Sequence, residues 1–159
     1  MNREILFRAK RIDNGEWIYG GLIVANGQIN PGKAYILNGV SDFSYGDNGN
    51  RCRIGCFVEV DPSTVCQFTG LTDKNGVKIF EGDVVERKGI GVWEDYVNEK
   101  GEKWSRSTNR KKDERGFIRY DEDVTQFTSD NPCIWLGYYD DIEVTGNIFD
   151  SPELLEEKA

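Results

Sequence analysis

The chain has 159 residues, of which 38% are hydrophobic, and its 28 acidic and 20 basic side chains give a formal net charge of −8. This length suffices for one sizeable core or two small ones, and the lack of any apolar run of about 18 residues argues against a membrane span. Histidine is absent, which removes the commonest general base near neutral pH and the Ser-His-Asp and Cys-His catalytic arrangements.

Turn signals divide the first part of the chain into short strands. Asp13, Asn14 and Gly15 form a turn sequence of the kind that closes tight hairpins, so strands are predicted at 5–9 and 17–24. The same signal recurs at 26–27 and 38–39, residues 41–51 form a polar loop, and a strand is predicted at 53–60.

Asp61 and Pro62 mark the predicted boundary between two subdomains. Proline restricts the residue before it to extended geometry and has no amide donor for a central strand. We therefore predict an N-terminal β subdomain at 1–61, a C-terminal β-barrel subdomain at 62–150 and a short helix or tail at 151–159.

The second subdomain also has the pattern of an all-β structure. Asn75 and Gly76 predict a hairpin, and Gly82 with Asp83 predicts a bend between strands. Ser151 and Pro152 are a helix cap and a first helical residue, which predicts the C-terminal helix. The predicted strands are 78–80, 84–87, 117–120, 134–139 and 143–148.

Three segments together resemble the YopX family of phage- and prophage-encoded proteins. They are residues 3–9, 60–85 and 143–155, and they occur in the family's order, whereas 42–56 and 93–131 match nothing in it. The resemblance implies a β-rich fold with an SH3-like C-terminal part, a phage origin and no established activity. It carries over no catalytic residue.

Two acidic clusters and four cysteines are the candidate chemical sites in the sequence. The acids are 121–123 and Asp140, Asp141 and Glu143, and neighbouring acids on a strand point to opposite faces, which favours solvated turns. The cysteines Cys52, Cys56, Cys66 and Cys133 lack paired zinc-ligand spacing. We expect reduced thiols, with Cys66 and Cys133 buried as small hydrophobic residues. No metal, cofactor or enzymatic activity is predicted.

Charge is distributed unevenly along the chain. Residues 99–116 hold seven basic and four acidic side chains, whereas residues 117–159 hold eleven acidic and two basic ones. We predict an inserted polar, basic loop at about 93–116, most simply a hairpin extension. Basic groups beside an aromatic ring can also contact phosphates and stack on bases. The candidate nucleic-acid contacts are Lys100, Lys103, Trp104, Arg106, Arg110, Lys111 and Lys112.

These observations favour a non-enzymatic phage accessory protein that forms homo-oligomers and binds a host or phage protein. One alternative is a nucleic-acid-binding barrel, although the acidic C-terminal segment would repel a polyanion. Another is an acidic decoy that inhibits a host defence enzyme. The first residues lack the apolar segment of a signal peptide, so the expected location is the host cytoplasm, without membrane contact.

Overall fold

The structure is a computed structural model that describes residues 4–25, 31–39, 56–130 and 141–156. The chain divides into two compact units, Met1–Gly70 and Leu71–Ala159. None of the helices in the described ranges has the length and hydrophobicity that a membrane span requires.

The first unit is an antiparallel sheet with the strand order β4-β3-β2-β1-β5. Its strands are β1 Phe7–Lys10, β2 Trp17–Val24, β3 Ala34–Leu37, β4 Phe57–Val60 and β5 Cys66–Thr72, the last of which ends in the second unit. A 3-10 turn at Pro62–Thr64 precedes β5. Gly15 has a φ of 73° in the turn between β1 and β2, which confirms the predicted hairpin.

The core of the first unit lies on one face of this sheet. Alternate residues of a strand share a face, and β2 accordingly buries Ile18 while Tyr19 stays exposed. The buried cluster consists of Ala9, Ile18, Ala34, Ile36 and Val60. Phe7, Leu22, Val58 and Val65 are partly buried against it.

The second unit contains the other five strands. They are β6 Lys78–Phe80, β7 Asp83–Val97, β8 Lys103–Asp121, β9 Gln126–Ser129 and β10 Glu143–Asn147. The last four form an antiparallel sheet in the order β10-β7-β8-β9. The core cluster of the second unit is Ile79, Val85, Ile118 and Ile142, with Phe127 and Val144 packed against it.

A buried carboxylate joins the hairpin turn after β5 to the start of β10. Asp73 accepts hydrogen bonds from the backbone N–H groups of Asn75 at 2.8 Å and Val77 at 2.9 Å. It also accepts one from the N–H of Val144 at 3.1 Å. Burial alone would raise the pKa of this carboxyl group, but the three N–H donors lower it below the ordinary value of 3.8. Asp73 is therefore a charged structural anchor.

The structure confirms some of the predicted elements and shows others to be longer. The hairpin at Asn75 and Gly76 is confirmed, with a φ of 80° at Gly76, and β6 spans the predicted residues. The strands predicted at 84–87 and 117–120 are parts of the much longer β7 and β8. Strands β3 and β9 are not among the strands predicted from the sequence.

The described residues form neither a closed barrel nor a C-terminal helix longer than one turn. In the residues that the structure describes, the sheets are open, with β9 and β10 at the two ends of the second one. The strand predicted at 134–139 and the turn at 26–27 lie outside the described residues, as does the loop at 41–51. The described part of the C-terminal segment has one helical turn, Glu153–Glu156.

Candidate functional site

The long hairpin of β7 and β8 extends beyond the sheet to which it belongs. Strand β10 pairs with β7 only from Asp83 to Glu86, and β9 pairs with β8 only from Ile118 to Asp121. Beyond these pairs, residues 88–112 continue as a two-stranded ribbon in the described structure. We call residues 88–112 the arm.

The turn at the tip of the arm is closed by Asn98. Its side-chain oxygen accepts hydrogen bonds from the backbone N–H groups of Lys100 and Glu102, both at 2.9 Å. Gly101 has a φ of 79°, a left-handed conformation that glycine adopts at little cost. These backbone contacts fix the shape of the turn. The side chains of Lys100 and Glu102 are exposed.

Two register shifts in the arm are held by side-chain hydrogen bonds. At the first shift, the N–H of Gly89 donates to Asp113 at 2.9 Å. At the second, the hydroxyl of Thr108 donates to the carbonyl oxygen of Val92 at 2.8 Å. A two-stranded ribbon alone is marginally stable in water, so these bonds help to fix which side chains lie opposite one another.

One face of the arm combines two aromatic rings with two arginines. Tyr96 lies opposite Trp104 and Glu94 lies opposite Arg106, and directly opposed residues of an antiparallel pair share a face. Glu94 forms ion pairs with Arg106, at 3.9 Å, and with Arg110. The guanidinium of Arg106 also lies 5.5 Å from the centroid of the Tyr96 ring. We call this the Trp104 face.

The opposite face has little net charge and two large exposed apolar side chains. Trp93 is 67% exposed and Val97 is 61% exposed. Val97 lies opposite Lys103, and Asp95 lies opposite Ser105, whose hydroxyl donates to its carboxylate. We call this the Trp93 face. Trp93, Tyr96 and Val97 are not among the site residues predicted from the sequence, although Asn98 with Gly101 is a turn signal that predicts strands on either side of it.

The seven candidate nucleic-acid contacts all lie in the arm, but they do not form one basic surface. Arg106 and Arg110 share Glu94, and Lys112 pairs with Glu114. The other three lysines, Lys100, Lys103 and Lys111, are exposed and form no ion pair among the described residues. Trp104 is 55% exposed on the face that carries Glu94.

The acidic clusters are engaged in local structure. Asp121 accepts hydrogen bonds from the N–H groups of Asp123 and Val124 in the turn after β8. Asp141 pairs with Arg87 at 2.8 Å. The Lys74 ammonium lies 2.6 Å from the carboxylate of Glu143 and lowers the pKa of that group. Asp140 lies outside the described residues.

The two cysteines in the described ranges differ in exposure. Cys66 is buried, which confirms that prediction, and its thiol lies 3.3 Å from the carbonyl oxygen of Thr64. Cys56 is a free and exposed thiol. Cys52 and Cys133 lie outside the described residues. Among those residues, no group of three or more Cys, Asp or Glu side chains is placed to hold a metal ion.

Comparisons with known proteins give a family and a similar fold, and they give no activity. The family model described as YopX protein matches residues 6–156. The crystal structure of protein EF1440 from Enterococcus faecalis is similar, with 24% sequence identity and a TM-score of 0.54. That match covers 96% of this chain and 98% of the other one. No curated protein matches.

Proposed function

The chain belongs to the YopX family, and we propose that it is a phage or prophage accessory protein that works, without enzymatic activity, as an oligomeric protein-binding module. The observation that carries this proposal is the arm, whose two faces expose large apolar side chains. Interfaces are enriched in Trp, Tyr and Arg, and the arm presents all three on one hairpin. The partner is a host or phage protein in the host cytoplasm.

The Trp93 face is the surface that we assign to this partner. Trp93 and Val97 are among the most exposed large hydrophobic side chains in the described structure. Burying the exposed part of a tryptophan side chain is worth about 3 kcal/mol from its area alone. Asp95, which accepts the hydroxyl of Ser105, and Lys103 carry opposite charges, so this face has no net charge that would repel a partner.

The SH3-like barrel remains the proposed architecture of the second unit. Its support is the sharp turn of Glu81 and Gly82 into β7, where Gly82 has a φ of 77°. The buried carboxylate of Asp83 accepts the N–H of Phe80 across this turn at 2.7 Å. The proposed binding role depends on the arm and not on closure of the barrel.

Crosslinked affinity purification from infected cells tests the proposed function. Wild-type protein is compared with Trp93→Ala and with Ile12→Ala, which removes another exposed apolar side chain far from the arm in sequence. We expect a specific protein to be recovered with wild type and Ile12→Ala and lost with Trp93→Ala. Equal recovery with all three would refute the assignment of the Trp93 face.

Nucleic-acid binding is the second candidate function. The observation in its favour is the set of three exposed lysines in the arm that form no ion pair within the described residues. Against it, Glu94 lies between the two arginines and the chain has a net charge of −8. A polyanion would have to approach this carboxylate, which weakens its attraction to the Trp104 face.

A further inference from the structure

The Trp104 face differs from the Trp93 face in the kind of surface that it can bind. Trp104 is 55% exposed and Tyr96 is 44% exposed. The two residues lie opposite each other, and the guanidinium of Arg106 lies over the Tyr96 ring. Trp, Tyr and Arg are the residues that most often dominate the binding energy of protein interfaces. The composition of this face therefore predicts a protein contact that also carries negative charge.

The two arginines of this face have more hydrogen-bond donors than their shared carboxylate can accept. Arg106 and Arg110 both pair with Glu94, so two positive charges share one negative charge. Each guanidinium has five N–H donors, more than one shared carboxylate can accept. Glu94 also holds both side chains in place, which lowers the entropy cost of ordering them on binding. A carboxylate flanked by apolar groups is the complementary ligand.

The turn between β8 and β9 of the same chain has this complementary chemistry. Val124 is 55% exposed and Tyr120 is 45% exposed, and Glu122 and Asp123 are exposed between them. We call residues 120–124 the acidic turn. Its shape is fixed by the hydrogen bonds to Asp121 and by an edge-to-face contact of Tyr120 with Phe127, at 5.3 Å between ring centroids.

The acidic turn cannot reach the Trp104 face of its own chain. Trp104 and Tyr120 lie near opposite ends of β8, which runs continuously from Lys103 to Asp121. At about 3.3 Å per residue, roughly 50 Å of strand separates them. A contact between the two surfaces therefore requires two copies.

We propose that the Trp104 face of one copy binds the acidic turn of a second copy. The arginines pair with Glu122 and Asp123, and the two aromatic rings pack on Tyr120 and Val124. The contact joins different surfaces, so it assembles copies head to tail into a ring or an open chain. This inference rests on the proposed function and specifies the self-contact of the oligomer, leaving the Trp93 face for the other partner.

Two variants, each lacking one side of the contact, test the proposal. The face variant carries Trp104→Ala and Arg106→Glu, and the turn variant carries Glu122→Lys and Asp123→Lys. We expect wild type to assemble in size-exclusion chromatography with light scattering, and each variant alone to be monomeric. Mixed in equal amounts, the variants should form a complex of one copy of each, because one intact face then meets one intact turn.

The mixing result separates this geometry from a symmetric contact. If the same surface met itself, two damaged variants could not restore the contact on mixing. A monomeric wild type, assembly of either variant alone, or no complex in the mixture would each overturn the proposal. Circular dichroism spectra matching wild type show that the variants are folded. Trp93→Ala is the matched control, and its assembly should equal that of wild type.

Failure of this inference and failure of the proposed function give different results. If the mixture stays monomeric while Trp93→Ala still loses the captured protein, the head-to-tail contact is wrong and the binding module stands. If the mixture forms the complex but capture is independent of Trp93, the head-to-tail contact stands and the assignment of the partner to the Trp93 face is wrong. A single-stranded oligonucleotide that binds wild type and loses at least about tenfold in affinity with Trp104→Ala would assign the face to nucleic acid and overturn the contact.

Discussion

Two adjacent glycines in β2 predict opposite outcomes for the same substitution. A Cβ atom built on Gly20 would lie 2.0 Å from the carbonyl oxygen of Leu37, whereas one on Gly21 has no atom within 4 Å. Neither residue has a positive φ, so alanine fits both backbone conformations. Only the close approach of β3 distinguishes the two positions.

The cost of Gly20→Ala can be worked out from this contact. Real Cβ contacts are essentially never shorter than 3.0 Å, so the backbone of β3 must move by at least about 1 Å. Overpacking of a core costs about 1–3 kcal/mol, and each strained backbone hydrogen bond adds about 1 kcal/mol. We expect Gly20→Ala to lower the free energy of unfolding of the first unit by about 3 kcal/mol. Gly21→Ala should raise it by about 0.5 kcal/mol, because alanine restricts the unfolded chain.

Native-state hydrogen exchange of the amides in β2 and β3 measures this difference within the first unit, and urea unfolding followed by circular dichroism provides a second reading. Exchange reports local opening, so the result does not depend on both units unfolding together. Equal stability of the two variants, or greater damage from Gly21→Ala, would refute the close packing of β2 against Leu37.

Three further predictions concern the anchor, the thiols and the basic residues of the arm. Asp73→Asn should cost about 2 kcal/mol at neutral pH, because three N–H donors lose a charged acceptor. The folded pKa of Asp73 is lowered, so this stabilisation is present above the ordinary aspartate pKa and is lost as the pH falls through the folded value. The urea midpoints of wild type and variant should therefore converge in acid. A difference between the midpoints that persists in acid would contradict the role of the charge. In thiol labelling read by mass spectrometry, Cys56 should react in the folded protein and Cys66 only after unfolding, and equal rates would contradict the burial of Cys66. Fluorescence anisotropy should show no binding of DNA or RNA oligonucleotides even at low salt, where phosphate contacts are strongest; an affinity that falls steeply with added salt would favour the nucleic-acid candidate.

Local turn chemistry made part of the fold predictable from the sequence. Asn14 with Gly15, and Asn75 with Gly76, specify their hairpins through residues that are neighbours in the chain. The β-branched pair Val84 and Val85 likewise marks the buried start of β7, where both side chains are fully buried. In each case the decisive interaction is local or depends on one buried face.

The arm was harder to predict because its strands are defined by each other. Residues 105–112 are all polar or basic, so strand periodicity is absent there. The pairing of Arg106 and Arg110 with Glu94 follows from a register that contains two shifts, and such shifts cannot be derived from composition. The sequence therefore identified a basic segment but not the separation of its side chains onto two faces.

A variant that replaces the outer arm with a tight turn tests the proposed function most directly. Gly91 and Lys111 are paired across the arm, so replacing residues 92–110 with Asn-Gly closes the hairpin there and preserves the β10-β7-β8-β9 sheet. In crosslinked affinity purification from infected cells that contain only this variant, we expect the folded variant to recover neither a further copy of itself nor the partner protein, because both faces of the arm are removed. Recovery of the partner protein at the wild-type level, or assembly of the variant with itself, would contradict the assignment of binding to the arm.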